Sequence, residues 1–301
     1  MNYSQRARQI ESSATVAVGN LATDLREDGV DIADLSVGEP DMGTPDHIVQ
    51  TGRQALADGH TGYTASNGIA PLREAIADDL RDRGIQSDAD DIIVTPGAKQ
   101  AIFEAVQALV DPGDEVVLID PAWVSYEPIV SLAGGSVTRV DTTPYDFQLE
   151  PAIGDLREAI DDSTELVVVN SPSNPTGTVY SEEALGGVRD LAVEHDVTVI
   201  SDEIYGKLTY DGEYTSCGAL EDMAERTVTI NGFSKAYAMT GWRVGWLAGT
   251  TDIVDQATKI HESTTSCASS VSQHAALAAL TGPQDAAEEM SAAFSARRDY
   301  V

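Results

Sequence analysis

Lys235 and Arg243 stand eight positions apart in NGFSKAYAMTGWRVGW, residues 231–246, in a chain with only 18 Lys+Arg against 50 Asp+Glu. A lysine beside apolar residues after a β-branched run is a candidate nucleophilic amine, because its surroundings can lower its pKa. An arginine supplies a fork that fits phosphate oxygens as a lysine cannot. Asp202 and Tyr205 follow VTVIS, Asn174 lies in SPSNPTG after ELVVVN, and Gly97 follows DIIVT. An aspartate at a buried strand end costs free energy unless something cationic meets it. Taken singly, each residue has a plainer role. Asp202 would cap a helix, Lys235 would sit on the surface, Asn174 would make a turn, Arg243 would pair on the surface, and Tyr205 and Trp123 would pack. Their joint placement after separate strands argues for a single crevice, since open α/β sheets bind ligands beyond the carboxyl ends of their strands.

The elements that must position these residues begin at residue 91. Short β-branched runs alternate with longer amphipathic segments: DIIVTPG, AKQAIFEAVQALV, DEVVLID, PAWVSYEPIVSLAGG, then ELVVVN, VTVISD and TVTING. This alternation predicts βα units in an α/β fold with a mostly parallel sheet flanked by helices. VVVN and VTVI lack polar alternation, as strands buried on both faces should. Ser181 with Glu182 and Glu183 opens a helix. The turn TPGAK leads into a helix beginning near Ala98, whose backbone N–H groups at a positive helix end suit a phosphate. Residues 1–35 differ, with an arm containing SSATVAVGN and a helix ending near Gly29.

Composition narrows the function. A net charge of -32 over 301 residues would repel nucleic acid and anionic membranes. The acidic residues are scattered, as in DLREDGVD and QDAAEEM, and read as solvated helix faces suited to a cytoplasm rich in salt. No apolar run approaches the roughly 20 residues of a membrane span, and MNYSQRARQI carries no signal-peptide core, so a soluble cytoplasmic protein is expected. Cys217 and Cys267 form no CxxC pair and are expected to be reduced thiols. HExxH, GxxxxGK[ST] and GxGxxG are absent, and no metal is expected.

The runs SVGEPD, GYTASNGIAPLREAI, GAKQAIFEAV, DPGDEV, PAWVSY, NSPSNPTG, SDEIY and NGFSKAYAMTGWRVGW, in that order, cover nearly the whole chain. Through them the chain resembles class I, fold type I pyridoxal-phosphate (PLP) aminotransferases, and especially bacterial and archaeal aspartate aminotransferases. The resemblance implies that Lys235 forms the Schiff base with PLP and later shuttles a proton between the substrate's α carbon and the cofactor's C4′. It implies that Asp202 pairs with the pyridinium nitrogen, that Asn174 and Tyr205 hydrogen-bond the phenolic oxygen, and that Trp123 stacks on the ring. Gly97, Ala98, Lys99 and Arg243 would hold the phosphate. Gly232 stands where many relatives carry a phosphate-binding serine, and Ser234 is the candidate replacement. Tyr63 would reach the phosphate of a neighbouring subunit, implying a homodimer with shared active sites.

For substrate, Gly38, Asn174 and Trp123 match positions around the amino acid's α-carboxylate. Lys99, with Ser13 and Thr15, resembles a subgroup in which a lysine binds the distal carboxylate of aspartate or glutamate; Lys99 could instead serve only the phosphate. The expected reaction is transfer of the amino group of aspartate, or a similar amino acid, to 2-oxoglutarate. Alternatives are other PLP chemistry, aromatic, alanine or prephenate-type substrates, or a PLP-binding chain impaired in catalysis.

Residues 284–301 read as a helix with Ala286, Met290, Ala293 and Phe294 apolar and no terminal cap. Family members continue into a small domain bearing an arginine for the α-carboxylate. The expectation is therefore a truncated chain: residues 1–35 as arm and part of the small domain, 36–283 as a large PLP-binding domain, and 284–301 as the start of the small domain.

Overall fold

The computed structural model describes residues 2–10, 14–35 and 38–301. Among them, seven strands form one sheet: β1 Ile92–Thr95, β2 Glu115–Asp120, β3 Ser136–Asp141, β4 Thr164–Asn170, β5 Thr198–Asp202, β6 Thr227–Gly232 and β7 Gly245–Ala248. Their order is β1-β7-β6-β5-β4-β2-β3. Every pairing is parallel except those of β7, which runs antiparallel to both β1 and β6. Reversal at both of its edges leaves β1 pointing the same way as β6. The carboxyl ends of β1, β4, β5 and β6 therefore meet at one edge of the sheet, and the segment entering β7 starts there too.

The helices are α1 Gln5–Gln9, α2 Ala14–Glu27, α3 Asp46–Ala57, α4 Ala70–Asp82, α5 Ala98–Leu109, α6 Tyr126–Ala133, α7 Ile153–Ala159, α8 Glu182–His195, α9 Thr251–Thr264, α10 Ser270–Thr281 and α11 Asp285–Tyr300. They cover both faces of the sheet, which explains the unbroken apolar runs in its strands. In β2, Val116 and Leu118 face a core shared with Ile102 and Val106 of α5 and Val254 of α9. Val117 and Ile119 face the opposite core, with Leu156 of α7 and Leu185 and Val188 of α8. A third cluster joins Leu72, Ile76 and Leu80 of α4 to Val94, Phe233, Trp246 and Ala275.

Local signals in the sequence act as expected. Ser181 caps α8 by accepting a hydrogen bond from Ala184 N at 3.1 Å. Gly29, at φ +83°, ends α2, and Val30 N donates back to Leu25 O at 3.0 Å. β3 and β7 go beyond the strands read from sequence. β3 is an edge strand with mixed exposure, and β7 has only four residues, all buried. Of the four apolar positions anticipated in the last helix, only Met290 is buried, while Arg297 pairs with Asp41 at 2.7 Å and Arg298 with Asp211 at 2.5 Å. Cys217 and Cys267 are both free thiols. Among the described residues, no helix is long and apolar enough to cross a membrane.

Candidate active site

β4, β5 and β6 are adjacent, and their register aligns Asn170 with Asp202 and Asp202 with Ile230. The parallel arrangement thus sets the residues after each strand side by side. Asp202 is the last residue of β5, 3% exposed. Its Oδ2 accepts from the Tyr126 hydroxyl at 2.7 Å and its Oδ1 from Ile204 N at 3.2 Å. Burial pushes its pKa up to about 6, opposed by those two donors. A carboxylate buried with two neutral donors and, among the described residues, no ion-pair partner suits a cationic or N–H partner.

Asn174 and Tyr205 lie next to it. Asn174 Nδ2 donates to the Tyr205 hydroxyl at 3.4 Å. Burial raises the Tyr205 phenol to about 12, so it remains a donor near neutral pH. Lys235, three residues beyond β6, places Nζ 5.8 Å from the centre of the Tyr205 ring and donates to Gly38 O. Burial, reinforced by the Arg243 charge, lowers its pKa, while Glu39 opposes the shift. The segment bearing Gly38 and Glu39 is pinned over the lysine loop. Thr240 donates to Glu39, Thr44 Oγ1 donates to Ala238 O at 2.6 Å, and Trp242 Nε1 donates to Thr44 Oγ1 at 3.0 Å.

The Gly97 turn forms the third wall. Gly97 has φ +88° and ψ 160°, a conformation that belongs to glycine. A Cβ there would lie 2.6 Å from Arg243 Nη2, so the missing side chain is what admits the guanidinium. Opposite, a Cβ on Gly245 would lie 2.5 Å from Ala98 N. Two glycines therefore let the start of α5 and the start of β7 close on each other. Arg243 is held by Thr240 O at 2.8 Å and Pro96 O at 3.4 Å. The N–H groups of Ala98 and Lys99 open α5, where the helical pattern leaves donors without an internal partner. Lys99 Nζ sits 4.8 Å from the centre of the Trp123 ring, its pKa lowered by burial and then by Arg243. Among the described residues, Lys99, Lys235 and Arg243 make no ion pair, whereas most of the arginines do.

The structure thus brings Lys235, Asp202, Asn174, Tyr205, Gly97, Ala98, Lys99, Trp123, Gly38 and Arg243 to one edge of the sheet. Ser234 is half-buried, and its hydroxyl makes no hydrogen bond among the described residues. Tyr63 is 92% exposed and takes no part in this chain's crevice. Ser13 lies outside the described residues, as does the side chain of Thr15, whose backbone belongs to α2.

Two contributors were not singled out from sequence. Asn170, ending β4, donates from Nδ2 to Asp202 O at 2.9 Å and accepts from Asn174 N at 2.7 Å, tying two site residues together. A polar residue closing the buried run VVVN was the available signal. Tyr126 is the other, the first residue of α6 and three positions after Trp123, and that short spacing was its signal. The rings of Trp123 and Tyr126 meet edge to face, with centroids 5.4 Å apart.

A mostly parallel α/β sheet here presents a half-buried lysine, a buried carboxylate and an arginine packed on a glycine turn at one edge. The chain belongs to the class I and II aminotransferases, whose family profile matches residues 30–301. The aspartate/prephenate aminotransferase of Thermus thermophilus is 43% identical over 303 residues, spanning 99% of this chain and 78% of that protein. The aspartate aminotransferase of Bacillus subtilis is 41% identical, over 100% of this chain and 77% of its own length. Among solved structures, Thermus thermophilus aspartate aminotransferase with maleate superposes with TM-score 0.91 at 44% identity, covering 98% of this chain and 75% of that one. The protein is accordingly an enzyme of aminotransferase type.

Proposed function

We propose that the protein binds pyridoxal 5′-phosphate at Lys235 and transfers the amino group of aspartate, or a closely similar amino acid, to 2-oxoglutarate. The observation that carries this reading is the convergence of Lys235, Asp202, Tyr205 and the Gly97–Arg243 cradle on one crevice. The donor set fits the cofactor group by group. Asp202 is a buried carboxylate with no ion pair among the described residues and suits a pyridinium N–H. Tyr205 and Asn174 suit a phenolic oxygen. The start of α5 with Arg243 suits a phosphate dianion in a protein that otherwise carries a large negative charge.

When bound, the cofactor supplies an electron sink for the pair released at the substrate's α carbon. The chain's residues do the remainder. Lys235 Nζ, its proton affinity lowered by burial, would be available as an amine to hold the cofactor through its aldehyde carbon, with loss of water. As a free amine, Lys235 would be placed to carry a proton between the substrate's α carbon and C4′. Asp202 would keep the ring nitrogen protonated. Trp123 would cover the ring, and Arg243 with Gly97, Ala98 and Ser234 would anchor the phosphate.

Acidic substrates are favoured by Lys99, a cation beside Trp123 that makes no ion pair among the described residues. The names of relatives point the same way, and the Thermus thermophilus structure was solved with maleate, a dicarboxylate. Gly38 and Asn174 would contact the α-carboxylate, with Ser13 and Thr15 completing the distal subsite. The exposure of Tyr63 supports a homodimer in which it serves the neighbouring site. The acidic surface supports a cytoplasmic setting at high salt. Residues 36–283 would form the cofactor-binding domain, with 1–35 and 284–301 belonging to a second, smaller one.

Borohydride reduction followed by peptide mapping tests the cofactor site, and the expected label is on Lys235. Half-reactions with a panel of amino acids test the substrate, with aspartate and glutamate expected to react fastest. A label on another lysine, or a preference for neutral amino acids, would refute the corresponding part.

A further inference from the structure

Tyr126 opens α6 and is 2% exposed, yet its only polar group is committed to a single partner, Asp202 Oδ2, at 2.7 Å. Its phenol is held well above the ordinary range, first by burial and then by the Asp202 charge, so it remains a protonated donor. Asp202 Oδ1 is occupied by Ile204 N at 3.2 Å. An ionised carboxylate offers about four lone-pair sites, and two donors from inside the fold orient it while leaving the rest free. On its other side, the Tyr126 ring meets Trp123 edge to face. One side chain thus touches both the carboxylate assigned to the cofactor's ring nitrogen and the indole assigned to its ring face.

We propose that Tyr126 is a positioning residue for the transamination site: its hydroxyl orients the Asp202 carboxylate and keeps it ionised towards the cofactor's ring nitrogen, while its ring fixes the plane of Trp123. The proposal rests on the PLP reading above. The donor acts against two opposing influences. Burial favours neutral Asp202, and so does the nearby charge of Glu203. Glu203 is itself 1% exposed and is answered by Arg83 at 2.9 Å and by the hydroxyls of Ser201 and Ser216. The other titratable groups facing the pair are the phenols of Tyr205 and Tyr180. Tyr126 is therefore the one side chain donating directly to the Asp202 carboxylate among the described residues.

The test compares wild type, Tyr126→Phe, Asp202→Asn and the double variant, and uses two readouts. The first needs no cofactor: the pH midpoint of the Asp202-dependent part of unfolding stability, measured on stripped protein. Losing a hydrogen bond to a charged group should move that midpoint up by about one to two pH units in Tyr126→Phe. The second uses the loaded enzyme, where kcat should fall about tenfold or more while KM for the amino acid stays within about twofold, because Tyr126 does not touch substrate. On the Asp202→Asn background, Tyr126→Phe should leave the pH dependence of stability unchanged. A site-specific fluorotyrosine, a stronger donor of similar shape, should move the midpoint down and keeps the proposal testable should Tyr126→Phe fail to fold. An unshifted midpoint in either variant, or a shifted one with unchanged kcat, overturns the proposal. A wild type that holds no PLP instead overturns the reading beneath it, whatever the midpoint does.

Discussion

Asp202 should leave a measurable signature in the protein stripped of cofactor. Its folded-state value of about 6 lies above the ordinary 3.8. The folded protein therefore retains a proton that the unfolded chain releases first. This group's contribution to stability is full below pH 3.8 and is lost as pH rises through about 6. A shift of about two pH units, at about 1.36 kcal/mol each, amounts to about 3 kcal/mol in all. Roughly half of that, about 1.5 kcal/mol, is lost between about pH 5 and 8, because the unfolded carboxylate is already mostly ionised at the lower limit. Asp202→Asn removes the titration; its single amide oxygen can keep the bond from Ile204 N, leaving the amide NH2 to donate to the Tyr126 hydroxyl, which rotates to accept it. The assay is urea unfolding of both stripped proteins at fixed molar salt across this range, and taking the difference cancels titrations remote from residue 202. The Asn variant should gain about 1.5 kcal/mol on wild type from pH 5 to 8. With PLP bound, an N–H partner at Asp202 should abolish the wild type's loss. A difference that does not vary with pH would refute the view that this carboxylate is strained by burial while it waits for a partner.

Lys235→Ala should lose the cofactor's visible absorbance and all transamination, since no other lysine follows β6 within reach of the Tyr205 ring; spectroscopy and a coupled assay check this. Lys99→Ala should weaken aspartate and glutamate by about 1.5–3 kcal/mol while sparing alanine. An equal loss for all three amino acids would assign Lys99 to the phosphate. Gly97→Ala should cost about 1–3 kcal/mol of stability and weaken PLP binding, because a Cβ there enters the space of Arg243 and the backbone conformation is one only glycine adopts readily; calorimetry and cofactor titration read the two effects. Lowering salt from about 1 M to 0.1 M lengthens screening from about 3 to 10 Å and should lower the unfolding temperature of a chain with net charge -32.

Much of the site was legible because parallel βα units share a polarity. Residues just past the apolar runs ELVVVN, VTVISD and TVTING must emerge at a common edge, so Asn174, Asp202, Tyr205 and Lys235 could be grouped from spacing alone. Gly97 and the helix start after it followed from the same rule. Caps such as Ser181 and Gly29 were equally readable, since their effects span only a few residues. The arginine was different. Its type suggested an anion, but its arrival at Gly97 depends on β7 turning back antiparallel between β6 and β1, a pairing between segments about 150 positions apart that four apolar residues do not announce. Tyr126 and Asn170 acquire their roles only through Asp202, which lies 76 and 32 positions away. The state of charge at the crevice belongs to the same level. Local sequence names the ionisable groups, but the depth of burial that raises Asp202 and lowers Lys235 is set by helices packed on both faces of the sheet, through contacts that no local pattern encodes.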